Sequence, residues 1–176
     1  MVNKNKVQEA LKPIPKKFKP AFSVSEEEKV SQIADKSLLE YPTSVEDRKK
    51  VINPKTGRPV TDFEYRVFDA CAMIKEGEFS TYKEISDYLK SGPRAVGNAL
   101  RKNPFAPFPI PCHRVITSNF FIGGYDGDMK SKIFWKREIL EREGVMFDNN
   151  GYVIDGEKCL HKFEREEQKE TSKYFK

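Results

Sequence analysis

TYKEISDYLKSGPRAVGNALRKNPFAPFPIPCHRV, residues 81–115, decides the fold. Thr81 and Glu84 have the spacing of a capping box, in which a hydroxyl and a carboxylate satisfy each other's backbone N–H groups at a helix start. The helix they open carries Ile85, Tyr88 and Leu89. Ser91-Gly92-Pro93 breaks it. Arg94 to Lys102 resumes as a second short helix burying Ala95, Val96, Ala99 and Leu100. Asn103-Pro104 ends that one, because proline disfavours helical backbone in the residue before it. Two short helices around a tight glycine-containing turn predict a helix-turn-helix. Prolines 107, 109 and 111 each fix φ, which predicts a stiff, extended approach to Cys112, one of three cysteines, and His113, one of two histidines.

Outward from this stretch the pattern stays helical. Thr61-Asp-Phe-Glu64 is another capping box, followed by an apolar stripe of Phe63, Val67, Phe68, Cys71 and Ile74 at helical spacing. Gly77 ends that helix. On the other side, Val115–Thr117, a polar turn at Ser118-Asn119 and Phe120–Ile122 read as β-rich. A glycine-rich loop at 123–127 follows, then a helix from Ser131 to Glu143 ended by Gly144, and a short β element at Tyr152–Ile154. The compact domain is expected over 61–163. Residues 1–24 read as a basic flexible arm. Residues 25–60 read as a helix to Tyr41 and then a linker, from the turn signals Asn53-Pro54 and Thr56-Gly57. Residues 164–176 form a charged tail.

Charged residues make up 34% and hydrophobic residues 38% of the 176, with a net charge of +5. Charge placement says more than the total. Residues 91–114 carry Arg94, Arg101, Lys102 and Arg114 and no acid, and residues 1–22 carry six lysines against Glu9. Both segments suit a polyanion. No stretch is long and apolar enough to span a membrane, and the N-terminus lacks the apolar core of a secretory signal. Three cysteines provide no disulfide framework, which points to a reducing compartment: cytoplasmic, or nuclear in a eukaryote, and not secreted. Cys71 falls on an apolar stripe and reads as core. Cys159 and His161 are too few ligands for a structural zinc, so no metal is expected.

A stiffened cysteine beside a histidine, just after a basic helix, points to thiol chemistry on nucleic acid. The run Arg94-Ala-Val-Gly-Asn-Ala-Leu-Arg-Lys-Asn-Pro104, followed by Pro-Cys112-His-Arg-Val and then Gly124-Tyr125, resembles the O6-alkylguanine-DNA alkyltransferases (methylated-DNA–protein-cysteine methyltransferases) over about residues 61–147. The resemblance implies a mainly α domain with a small β element, a winged-helix-like helix-turn-helix with the cysteine beneath the recognition helix. The ribonuclease-like N-terminal domain of several members is not expected, because residues 1–60 are too short and too polar for one. The implied partner is double-stranded DNA bearing O6-alkylguanine, bound through the minor groove by a monomer, with no cofactor. The damaged base flips out, and a thiolate takes its alkyl group irreversibly.

The same resemblance implies roles. Cys112 is the nucleophile. His113 takes its proton through a bridging water, with Glu143 orienting the imidazole, and Tyr82 donates to the leaving guanine. Arg94 fills the gap left by the flipped base. Ala95, Gly97 and Asn98 let the helix lie close in the groove, with Arg101 and Lys102 on the same basic segment. Val115 and Tyr125 line the pocket, Asn103 holds the active-site loop, Arg114 ties the motif to neighbouring loops, and Lys136 lies near the site. Each residue also has a plainer structural reading: a buried cysteine, a solvated glutamate at a helix end, a core tyrosine, ordinary helix packing at 95–99. Two other functions fit the pattern less well. An alkyltransferase-like damage sensor would bind without transfer, but such relatives usually replace the cysteine. A winged-helix regulator needs more base-reading side chains than helix 94–102 offers.

Overall fold

A computed structural model describes residues 39–125 and 132–164. The basic arm, the expected helix up to residue 38, Asp126 and residues 165–176 lie outside the described residues. In chain order the elements are α1 (Val45–Lys50), β1 (Ile52–Asn53), β2 (Arg58–Pro59), α2 (Asp62–Ala72), β3 (Ser80–Thr81), α3 (Tyr82–Tyr88), α4 (Pro93–Arg101), a 3-10 turn (Cys112–Arg114), β4 (Val115–Ile116), α5 (Lys132–Arg142) and α6 (Gly156–Cys159). The described chain is mainly α with two small sheets, β1–β2 antiparallel and β3–β4 parallel.

The capping box at Thr61 and Glu64 forms in full and starts α2, which buries Glu64, Tyr65, Val67, Phe68, Ala70 and Cys71. At Thr81 the hydroxyl accepts from the Glu84 N–H and starts α3. Helix α3 ends in a Schellman motif: the Ser91 N–H reaches the Ser86 carbonyl at 2.8 Å and the Lys90 N–H reaches Asp87 at 3.3 Å. That motif needs a left-handed residue, and Lys90 supplies it at φ 54, not Gly92. Gly92 is instead the N-cap of α4, with Pro93 in its first turn. Helix α4 buries Val96, Ala99 and Leu100, while Ala95 is exposed. The stripe at 96, 99 and 100 suffices to seat a nine-residue helix against α2 and α3.

Two apolar clusters result. The first gathers α2, α3 and α4 around Phe68, Phe105, Ile85 and Val96. The second gathers Phe79, Ile116, Ile122, Ile133, Leu140, Val145 and Phe147. Each fully buried large side chain contributes about 1.5–3 kcal/mol. The clusters meet at β4, whose Val115 belongs to the first and Ile116 to the second. Tyr152 and Val153 bridge to Phe121 and Phe147, giving the expected late β element.

The linker reading of 42–60 is corrected. Ser44 caps α1 by accepting from the Asp47 N–H. Asn53-Pro54 and Thr56-Gly57 are the turn of the β1–β2 hairpin, closed by the Gly57 N–H on the Asn53 carbonyl at 2.8 Å. Turn signals mark a hairpin and a linker alike, and here a partly buried ion pair makes the difference. Arg48 donates to both oxygens of Asp69 on α2, at 2.9 and 2.8 Å, and to the Pro42 carbonyl. The Tyr41 hydroxyl donates to the same carboxylate, and the Tyr65 hydroxyl to the Arg48 carbonyl. Residues 39–41 are not helical, so a helix from Ser25 does not reach Tyr41.

Candidate active site

Cys112 opens the 3-10 turn, 9% exposed. The preceding segment is turned, not extended: the peptide bonds before Pro107 and Pro109 are cis, and the Ile110 N–H returns to the Phe105 carbonyl. Asn103 closes this loop from inside. Its Oδ1 accepts from the Phe105 N–H at 2.8 Å and its Nδ2 donates to the Ile110 carbonyl at 3.4 Å. The Cys112 thiol donates to the Tyr125 hydroxyl at 3.4 Å. Burial pushes the thiol pKa up; Tyr125 and Asn103, which can donate to the thiolate, and the charges of Lys136 and Lys55 pull against it without cancelling it. The resting sulfur at neutral pH is therefore a thiol that needs a base.

His113 is fully buried, with its Nε2 2.9 Å from Glu143 Oε1. Burial lowers the imidazole pKa below its ordinary 6.5, outweighing the upward pull of Glu143. The ring is neutral at pH 7. An ionised carboxylate only accepts, so Nε2 carries the proton and Nδ1 keeps a lone pair. Nδ1 is buried and has no hydrogen-bond partner among the described residues.

Glu143 is the residue after α5, ahead of Gly144 at φ 100. Arg114 holds it with a two-pronged grip, Nε to Oε2 and Nη2 to Oε1, both 2.9 Å, and anchors itself through Nη1 on the Ile74 carbonyl at 2.8 Å. Burial alone would raise the carboxyl pKa; Arg114 and His113 reverse this and hold it below the usual range. Gly77 makes room for this junction, since a Cβ there would lie 3.2 Å from the Glu143 carbonyl oxygen.

Tyr82 packs over Gly97, whose Cβ position is 3.9 Å from the ring, so α4 and the pocket share a wall. Burial, reinforced by nearby Cys112 and Cys71, pushes its hydroxyl pKa up to about 12. Val115 is buried in β4. Lys136 is fully buried and donates to the carbonyls of Val115 (2.8 Å), Ile122 (2.8 Å) and Gly124 (3.2 Å); burial lowers its pKa to about 7.

The structure thus brings Cys112, His113, Glu143, Asn103, Tyr125 and Tyr82 into one neighbourhood. Arg114 and Lys136, grouped with the pocket on sequence, point their charges at Glu143 and at backbone carbonyls. Arg94, Ala95, Asn98, Arg101 and Lys102 lie apart, exposed on α4, with Gly97 half-buried between them; Lys102 lies 3.6 Å from Glu64. His161 Nδ1 pairs with Glu78 at 2.9 Å.

Two neighbours escaped the sequence reading. The Trp135 ring centroid is 4.9 Å from Tyr125 and 6.2 Å from His113; its place as the lone tryptophan, beside Lys136, was the available signal. Lys55, in the segment read as linker, contributes only its charge, which pulls the Cys112 thiol pKa down, and no local pattern announced it.

Residues 62–145 match the family model for the 6-O-methylguanine DNA methyltransferase DNA-binding domain. A Metallosphaera sedula methylated-DNA–protein-cysteine methyltransferase is 36% identical over 145 residues, 73% of this chain and 89% of the relative. The chain belongs to the methylated-DNA–protein-cysteine methyltransferase family. A Thermococcus sibiricus methyltransferase of the same name is 45% identical over 86 residues, 48% of this chain. This chain spans about half the length of that relative, 46%. The solved structure of S. pombe Atl1 in complex with damaged DNA containing O6-carboxymethylguanine aligns with 58% of this methyltransferase-family chain and 96% of its own, at 30% identity and TM-score 0.49. No helix among the described residues of this family member is long and apolar enough to cross a membrane.

Proposed function

We propose that this chain repairs DNA by direct reversal, moving the alkyl group of O6-alkylguanine onto Cys112 in a single irreversible turnover. The observation that carries this reading is the neutral His113 ring, its Nε2 held by Glu143 and its Nδ1 lone pair unengaged, in the residue next to a buried thiol. A side chain adjacent in sequence reaches the sulfur through a water. The thiol proton passes by that water to Nδ1, and Glu143, fixed by Arg114, stabilises the imidazolium. The thiolate attacks the alkyl carbon, a C–S bond forms, and the C–O bond breaks with its electron pair going to O6. The Tyr82 hydroxyl donates to the guanine as that charge grows. The products are S-alkylcysteine and guanine; no step restores the thiol, so the protein is consumed.

The exposed face of α4 supplies the DNA contact. Arg94 enters the duplex where the base leaves, offsetting part of an unstacking cost of a few kcal/mol. Ala95, Gly97 and Asn98 lie against the groove, and Arg101 meets phosphate, with Lys102 beside it. Val115 and Tyr125 bound the base, and Lys136 holds the strand and loop that carry them. The chain acts as a monomer on double-stranded DNA, in the cytoplasm or, in a eukaryote, the nucleus.

The test is intact-protein mass spectrometry after incubation with duplex DNA carrying O6-methylguanine. One methyl group per chain, mapped to Cys112 and lost in Cys112→Ala, is the expected result. Tight binding without mass gain would favour the damage-sensor reading instead.

A further inference from the structure

Resting on the alkyl-transfer reading, we propose that the β1–β2 hairpin is a second DNA-contact element, a basic clasp that grips phosphate beside the C-terminal end of α4. One side chain fixes its position. Asn53, 1% exposed, donates Nδ2 to the Lys102 carbonyl at the end of α4 (2.8 Å), while its Oδ1 accepts from the Lys55 N–H (2.9 Å). The hairpin turn is therefore tied to the helix that faces DNA.

The rest of the hairpin faces outward. Ile52 and residues 54–59 are exposed, although a two-stranded ribbon this short has little stability of its own. Residues 51–60 hold Lys55 and Arg58 and no acid. With Arg101 and Lys102 they extend the positive edge of α4. Of the nearby acids among the described residues, Glu64 is engaged by the Thr61 N–H and faces Lys102, and Asp62 is exposed at the start of α2. The tip is open, with nothing within 4 Å of a Cβ placed on Gly57. The Lys55 charge is also among those that pull the Cys112 thiol pKa down.

The partner is recognised by charge, so salt dependence reads it directly. Each phosphate neutralised contributes about 0.9 to the slope of log affinity against log salt. Fluorescence anisotropy on one unmodified duplex, across a salt series, compares the full chain with Lys55→Ala/Arg58→Ala. Affinity should fall about three- to tenfold at low salt and the slope should flatten by about 1–2. Charge reversal, Lys55→Glu/Arg58→Glu, should weaken binding further. Both side chains are exposed, and circular dichroism checks that each variant is folded. Affinity and slope equal to the unsubstituted chain overturn the clasp, even if the methyl adduct forms on Cys112. A chain that binds duplex in the clasp-dependent way but never gains the methyl group overturns the transfer reading and leaves the clasp standing.

Discussion

Two two-pronged arginine–carboxylate grips stand out among the described residues, end-on through Nη1 and Nη2 at Asp69 and side-on through Nε and Nη2 at Glu143. Arg48 clasps both oxygens of Asp69 at 2.9 and 2.8 Å; Arg114 clasps both oxygens of Glu143 at 2.9 Å. Each arginine also caps a backbone carbonyl, Pro42 and Ile74 respectively. They differ in the third partner. Asp69 receives the Tyr41 phenol, a group whose pKa burial drives far above the physiological range. Glu143 receives the His113 imidazole, whose second nitrogen is left with a lone pair. A phenol fastens; an imidazole can relay a proton. An arginine-held carboxylate is a strap in one place and, in the proposed mechanism, the rear of a catalytic relay in the other.

Substituting the carboxylates separates the two roles. Glu143→Gln should slow transfer about 100-fold, the scale of a general base that has lost its orienting charge; single-turnover methyl transfer measures it. A normal rate with only a lower thermal midpoint would make this grip a second strap. Asp69→Asn strands a largely buried guanidinium and should cost about 2–4 kcal/mol of stability, read by urea unfolding. Its folded fraction should transfer methyl within about twofold of the unsubstituted rate, because Asp69 lies outside the relay. A far larger loss of rate would join the two regions functionally.

The pH response gives a smaller and signed effect. His113 and Glu143 both have folded pKa values below their ordinary 6.5 and 4.5. The folded state then binds fewer protons than the unfolded one, so their stabilisation is full above those ordinary values and is lost as pH falls from them through the lower folded values. The relay follows the same direction. Transfer should hold from pH 7.5 to near 6.5, then fall about tenfold per unit once His113 protonates below it. His113→Asn should be slow and flat over this window; a matching acid limb in that variant would assign the titration to another group. The smallest change is Tyr41→Phe, which removes one hydrogen bond to a charged acceptor and should cost about 1.5–3 kcal/mol, discounted toward the low end by partial exposure.

Residues 61–104 were legible because local rules agree there: caps at Thr61 and Thr81, apolar spacing on α2 and α4, and a helix stop at Asn103-Pro104; the turned approach to Cys112 was not. The pairing of His113 with Glu143 came from the motif, since no spacing rule links residues 30 apart. The strap was missed for physical reasons. Arg48 and Asp69 look like ordinary surface charges in sequence, and Tyr65 sits off the apolar stripe of α2 because it packs toward the segment before it. The φ-positive role fell to Lys90 because hydrogen-bond closure at the end of α3, rather than the nearest glycine, decided which residue takes the left-handed turn.

Lys136 carries one more consequence. An amine caged by three carbonyls and fully buried, its pKa lowered by burial to about 7, gives up its proton more readily than a surface lysine, yet is unreachable. Acylating reagents should therefore modify the surface lysines quickly and Lys136 only when β4 and the loop through Gly124 part from α5. The rate at which Lys136 becomes labelled is a clock, built into the chain, for how often the floor of the pocket opens.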